Sequence, residues 1–539
     1  MHLDELALDE LNFSPCERYF WRSHSLSNRS GSDIFEALFQ SSTTEMGMSG
    51  IATLLESPTE SSDGLNTTDS DGRTPDKLAR YSICAGSPRR VDGCFQVWSA
   101  GIGKILPLLK RLGEVPPPAV EYVGAERTDL EAQPPASLPF LGGWLGWLGY
   151  DLAWEIERLP WLKEDSLPFP VAFWYEPVAF ALLDHQTQRL WIAADTLEGV
   201  EILSQKGMSQ KGISQKVTSL DAPEANTPGV NQSIPSAKVQ ATVPPTLETS
   251  QTEFEMAVRR AKDHIRAGDV FQVNHSLRFQ AQTTLSSWQV YRTLHRINPS
   301  PFASYWHTPW GAVVSCSPER LVQLDNRIAQ SRPIAGTRPR GETVEADTRN
   351  ERVLLSDHKE QAEHIMLVDL ERNDLGRVCE WGSVQVDELM TIERYSHVMH
   401  LVSNVVGRLN SEASVAELIA ALFPGGTITG CPKVRCMEII ESLEPVRRSL
   451  FYGSCGYLDR RGRLDLNILI RTLLMSPTKD RPTAADATSF VWGQVGAGIV
   501  ADSDPKKEWC ESLQKAKAQL LALGLPEDLI FSQSSQKKL

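Results

Sequence analysis

The chain has 539 residues, 41% of them hydrophobic and 23% charged, with 54 Lys and Arg against 68 Asp and Glu for a formal charge of −14. That is the composition of a globular protein long enough for one large domain or several smaller ones. The acidic balance argues against nucleic acid or an anionic membrane as the main partner, but not against a small anion held by local basic residues. Nine cysteines, with no C-x-x-C pair, point to reduced thiols rather than a disulfide framework or a zinc ribbon. The acidic start MHLDELALDELNF lacks the features of a signal peptide, and the longest apolar stretch, Leu138 to Tyr150, is too short to cross a bilayer. A cytoplasmic location is the expectation.

In chain order, polar 60–76 and the Pro-, Ser- and Thr-rich 204–250 read as loops that bury too little apolar surface to order themselves. The expected division is an N-terminal region 1–200, a low-complexity insertion 201–250, a catalytic region 251–525 and a tail 526–539. Strands are expected at 80–86 and 189–194 in the first region. Thr252-Glu253-Phe254-Glu255 reads as a capping box that opens a helix, with Phe254, Ala257, Val258, Ala261 and Ile265 at helical spacing. Strands follow at 270–279, 311–316, 320–324 and 467–475, and helices at 287–297, 358–371, 414–423, 432–442 and 505–522. Interleaved strands and helices indicate an α/β or α+β fold.

Carboxylate spacing is the first chemical signal. Glu360 and Glu363 lie three apart on one predicted helix, and Glu508 and Glu511 lie three apart on another. Residues at i and i+3 share a helix face. Two such pairs facing each other would form an oxygen-only cage suited to Mg²⁺, whereas a solvated helix face carries such pairs without any metal. Second, GGTITGCPK (425–433) has glycines at P-loop spacing, but Cys431 and Pro432 stand where a P-loop needs Lys and Ser or Thr. What remains is either a tight turn or a helix start at Pro432 that attracts an anion, aided by Lys433 and Arg435. Third, RPIAGTRPRG (332–341) is a basic loop for an anion or a surface turn. Arg471 lies in an apolar strand and needs an anionic partner. His397 and His400 in an apolar run read as hydrogen-bonded core histidines. Cys455 has no assignable base and reads as structural.

Taken together, GDVFQVNHSLRF, SPERLV, RPIAGTRPRG, HKEQAEHIMLVDLERNDLGRV, ERYSHVMHLVSNV, PGGTITGCPKVRCMEIIESLEP, YGSCGYLD, DLNILIRT and GAGIVADSDPKKEWCESLQKA resemble the chorismate-utilising enzymes, in the family's order from Gly268 to Ala516. They are similar to component I of aminodeoxychorismate (para-aminobenzoate) synthase and of anthranilate synthase. The resemblance implies one large α/β unit in which two β-sheets pack face to face with helices outside. It implies a Mg²⁺ site at Glu363 and Glu511 with Glu360 and Glu508 beside them, and Glu319 as general acid for the departing C4 hydroxyl. It further implies that His400 stabilises the ring or the leaving group, and that Thr427, Lys433, Arg471 and the backbone at Gly498 hold the substrate's carboxylates. Gln272 stands where isochorismate and salicylate synthases carry a Lys that activates water, so ammonia is the implied nucleophile. The chain carries no glutaminase motif, and a separate glutaminase subunit is the implied partner. LLESP (54–58) matches the family's tryptophan pocket at Leu55, Glu56 and Ser57, or is simply a core strand with a polar end. Thr429, DLNILIRT and NPSPFASYW (298–306) look more like the aminodeoxychorismate branch, whereas Ala335, in place of a nucleophilic Lys, looks like anthranilate synthases. The expected product is therefore 4-amino-4-deoxychorismate, with anthranilate as the alternative. A non-catalytic tryptophan-binding relative is the reading from another class.

Overall fold

The computed structural model describes residues 13–26, 28–45, 47–57, 80–123, 134, 136–208, 244–394, 398–478 and 488–525. Its spine is an antiparallel pair, Gln272–Thr283 against Ser489–Ile499, with Asn274 opposite Gly498 and Ser276 opposite Gly496. These long, mostly buried strands lie near one end of their sheet, with the short strand Thr246–Leu247 beyond them. The pair belongs to a thirteen-stranded sheet among the described residues. That sheet continues through Thr472–Pro477, Gly311–Ser317, Phe302–Thr308, Ala52–Glu56, Tyr81–Ala85, Ala179–Asp184, Arg189–Ala194 and Arg18–Ser25. A ten-stranded sheet runs from Ile334–Pro339 through Val398–Arg408, Ile328–Arg332, Arg320–Asp325, Arg463–Asn467, Ser454–Asp459, Gly143–Leu148 and Ala172–Tyr175 to Val97–Trp98. Both sheets draw strands from before and after the 204–250 segment.

The inner faces meet in an aromatic-rich core. Trp147 of one sheet meets Trp306 of the other edge-to-face at 5.8 Å, and Tyr175 donates its hydroxyl to Thr53 at 2.9 Å. A second core lies on the outer face of the larger sheet, where Phe254, Val258, Tyr291, Leu294 and Trp509 pack down from the helices Gln251–Arg266, Ser287–Ile297 and Pro505–Ala522. No helix among the described residues is long and apolar enough to cross a membrane. The stretch 138–150 instead supplies the fully buried strand Gly143–Leu148.

Several elements differ from the sequence reading. The capping box sits two residues earlier: Ser250 Oγ accepts from Glu253 N, and Glu253 Oε2 accepts from Ser250 N at 2.8 Å. The strand expected at 467–475 is interrupted. One strand ends at Asn467, the next begins at Thr472, and Arg471 takes φ +52 at the break, a conformation costly for a residue with a Cβ. The basic loop 332–341 is in large part the strand Ile334–Pro339, because it finds a partner in Val398–Arg408. The segment read as a loop from 204 begins as the end of the helix Leu197–Met208 and closes with the strand Thr246–Leu247; 209–243, like 60–76, 526–539 and His397, lies outside the described residues.

Candidate functional site

The two carboxylate pairs reach one neighbourhood from different elements. Glu360 and Glu363 stand on the first turns of the His358–Gly376 helix, capped by Asp357, whose carboxylate accepts from Lys359 N and Glu360 N. Glu508 and Glu511 stand on the first turns of Pro505–Ala522, capped in the same way by Asp504. Glycines make room for them. A Cβ at Gly336, which has φ +60, would stand 3.1 Å from Glu360 Oε2. A Cβ at Gly498 would stand 2.3 Å from Gln272 Nε2 and 3.5 Å from Glu363 Oε1. Gln272 Nε2 donates to Glu363 Oε1 at 2.9 Å. Lys515 donates to Glu511 Oε1 at 2.9 Å and to Gly496 O at 3.0 Å, which ties the second helix to the strand that flanks Glu363.

The electrostatics join the pairs. Burial pushes the Glu363 carboxyl up, Gln272 pulls it down, and the charge of Glu360 raises it further. Burial and then Glu511 likewise raise Glu508, against the hydroxyl of Ser503. The ammonium groups of Lys359 and Lys515 act on both Glu363 and Glu508. Among the described residues no three His, Cys, Asp or Glu side chains already converge as a metal cluster. The two acidic pairs share the lysines Lys359 and Lys515, and Lys515 holds Glu511.

Glu319 follows the strand Gly311–Ser317 and is buried. Burial pushes its carboxyl up to about 8; Thr427 beside it and the Ile334 main chain lower it, and Glu371 raises it. At neutral pH this group holds its proton, as a general acid must. His400, on Val398–Arg408, is buried with Nδ1 3.0 Å from Thr337 Oγ1, and burial depresses it to about 4, so its ring is neutral. Thr427 lies in the short 3₁₀ turn Gly426–Ile428. That turn is anchored by the buried Arg448, which donates to Ile428 O at 2.7 Å, to Asn274 O at 3.0 Å and to Glu444. Arg471 is half-buried, its guanidinium acts on His400, and no carboxylate among the described residues forms an ion pair with it. An arginine held so, in a strained backbone and without a carboxylate partner, suits an anion supplied from outside.

Lys433 pairs with buried Asp374 at 2.6 Å and donates to Leu422 O at 2.8 Å. Arg435 pairs with Asp269 and Glu438. Leu55, Glu56 and Ser57 do line a cavity of about 120 Å³, together with Arg320, Tyr457 and Asp465. Glu56, however, is already committed, accepting from Ser32 N and Oγ at 2.6 Å each and from Tyr291 Oη at 2.7 Å. Cys455 is buried and its thiol is pushed up to about 11 by burial, which leaves no thiolate for nucleophilic work. The sequence reading missed Lys515, Lys359 and Glu371. Lys515 was visible as the i+4 partner of Glu511, whereas Glu371 gave no signal apart from an ordinary acidic helix position.

Comparison with known proteins points to one family. The chorismate binding enzyme family matches residues 117–521. The chain is 53% identical over 512 residues to an anthranilate synthase component I-like protein of Synechocystis sp., covering 94% of this chain and 92% of that one. It is 41% identical over 391 residues to aminodeoxychorismate synthase component 1 of Bacillus subtilis, covering 72% and 78% of the two chains. Among solved structures it is similar to anthranilate synthase component I from Streptococcus pneumoniae, at 30% identity and a TM-score of 0.63, covering 85% of this chain and 94% of that one.

Proposed function

The chain belongs to the family of chorismate-binding enzymes, and from that premise we propose that it is the component I of an aminodeoxychorismate synthase. It is a chorismate-utilising enzyme of the anthranilate and aminodeoxychorismate synthase type. The observation that carries amination is Gln272. Its amide has no base strength and is bonded to Glu363 at 2.9 Å, so it does not activate water. Ammonia from a separate glutaminase subunit is then the nucleophile.

Chorismate is a dianion whose C4 hydroxyl leaves poorly. In this reading Arg471, Thr427 and the backbone at Gly498 hold its carboxylates, and the neutral, buried Glu319 delivers a proton to the departing oxygen. His400 is a neutral donor or acceptor beside the ring, and Lys433 stays paired with Asp374. The four carboxylates fit a hard divalent ion: their donors are all oxygens, two are raised by burial and by their acidic neighbours, and Gly336 and Gly498 leave room beside Glu360 and Glu363. Glu363 and Glu511 would hold Mg²⁺ with Glu360 and Glu508 beside them, and the bound ion would supply positive charge for the ring carboxylate.

Anthranilate synthase is the second reading. Ala335 favours it, because the covalent route through a lysine at that position is closed here. The test is turnover of chorismate with Mg²⁺ and an ammonium salt, with the product identified by mass and fluorescence. An aminated intermediate that awaits a lyase supports the first reading; anthranilate released directly supports the second; no loss of chorismate overturns both in favour of a binding module. Tryptophan belongs to the cavity at Leu55 and Ser57 in this proposal, and a rise in melting temperature with added tryptophan is the check.

A further inference from the structure

The His358–Gly376 helix carries, two turns beyond Glu363, a second acid that the proposed chemistry does not use. Glu371 is buried, and its Oε2 has no hydrogen-bond partner among the described residues. Gly426 lies against it: a Cβ there would stand 3.5 Å from Glu371 Oε1. The next residue, Thr427, stands beside Glu319. One tight turn therefore backs onto two buried acids through consecutive residues. Lys433 makes its ion pair with Asp374 at 2.6 Å and donates to the Leu422 carbonyl; its charge only partly offsets the burial of Glu371.

We propose that Glu371 is a positioning residue for Glu319: a second buried acid, set behind the Gly426–Thr427 turn, that keeps the proton on Glu319 until the substrate's leaving oxygen takes it. The inference rests on the reading of Glu319 as general acid. Two carboxyl groups in one dry region resist ionising together. The groups that face the pair are few. Asp374 and, at 3.9 Å from it and largely exposed, Arg377 come from the same helix. Lys433 comes from the Lys433–Leu443 helix, and the strand Ile328–Arg332 contributes only the neutral Ser331 hydroxyl. The charge of Glu371 raises Glu319, while burial and then Asp374 raise Glu371 itself.

The test uses the full-length enzyme and its E319Q, E371Q and E371M variants. Infrared difference spectra over pH 5–9 identify the protonated Glu319 band as the one that E319Q removes. In E371Q its titration midpoint is expected to fall by at least about half a pH unit. The alkaline limb of kcat, measured at constant free ammonia, should move with it, while KM for chorismate stays within about twofold. E371M removes the charge by a different, apolar replacement and should give the same displacement, so a folding defect in one variant leaves the other to decide. An unmoved band and limb in the folded variant overturns the inference. Full turnover in E319Q overturns the acid assignment instead, which separates the two failures.

Discussion

Glu319 and Arg471 show how single residues are set by surroundings that the chain builds elsewhere. An acid that stays neutral in the folded state to about pH 8 must take up a proton on folding, because in the unfolded chain it ionises above roughly pH 4.3. Its effect on stability therefore turns unfavourable as pH rises from the ordinary carboxylate range towards pH 8, and levels off beyond. Glu319→Gln should cut turnover by two or more orders of magnitude, consistent with the roughly 10²–10⁴-fold contribution of general acids. It should also raise the melting temperature at pH 8, by the equivalent of about 1–3 kcal/mol, with no gain near pH 4. Thermal melts at the two pH values check the sign. Arg471→Ala should raise KM for chorismate at least about tenfold, as expected when one charge-assisted contact to a carboxylate is lost. An unchanged KM with reduced kcat would assign Arg471 to the chemistry instead. His400, neutral above about pH 4, should add no limb to the rate profile between pH 5 and 7.

At the scale of elements, the site depends on where helices begin and where strands lack side chains. Both acidic pairs stand at helix starts capped by an Asp, and the strand that passes them carries Gly496 and Gly498. Gly498→Ala would drive its Cβ into Gln272 and crowd Glu363. We expect it to weaken Mg²⁺ activation at least about tenfold with little change in melting temperature, the scale seen when a metal ligand's support is lost. Titration of activity against Mg²⁺ checks this. The capping residue of Gln251–Arg266 is remote from the site and makes a contrast: Ser250→Ala should cost about 1 kcal/mol of stability and leave kcat unchanged.

For the whole molecule, the buried Arg448–Glu444 pair links the end of the Lys433–Leu443 helix, the spine strand and the Thr427 turn. Burial alone would raise the Glu444 carboxyl, but the charge of Arg448, their hydrogen bonds, and contacts from His275 and Ser276 outweigh it and hold it below its usual range. A carboxylate lowered in this way stabilises the fold above its unfolded pKa, and the contribution is lost as pH falls through the folded value. Arg448→Met should cost about 3–5 kcal/mol, because an unpaired buried charge is left behind. Glu444→Gln should flatten the acid side of a melting temperature against pH curve.

Much of this was legible in the sequence because it is local. The helices 287–297 and 505–522 follow from apolar spacing and caps within a few residues, and i, i+3 spacing already puts each carboxylate pair on one face. The ordered motifs from Gly268 to Ala516 likewise pointed to the chorismate-utilising family without any coordinates. Three-dimensional packing decided the rest. The pairing of Lys433 with Asp374, whether Glu56 is free or held by Ser32 and Tyr291, and whether 332–341 is a loop or a paired strand all depend on partners distant in the chain. The same holds for acidity: Glu319 is one glutamate among many in the sequence. Only burial, with Glu371 nearby, keeps it protonated at neutral pH, because desolvation and charge repulsion act through space.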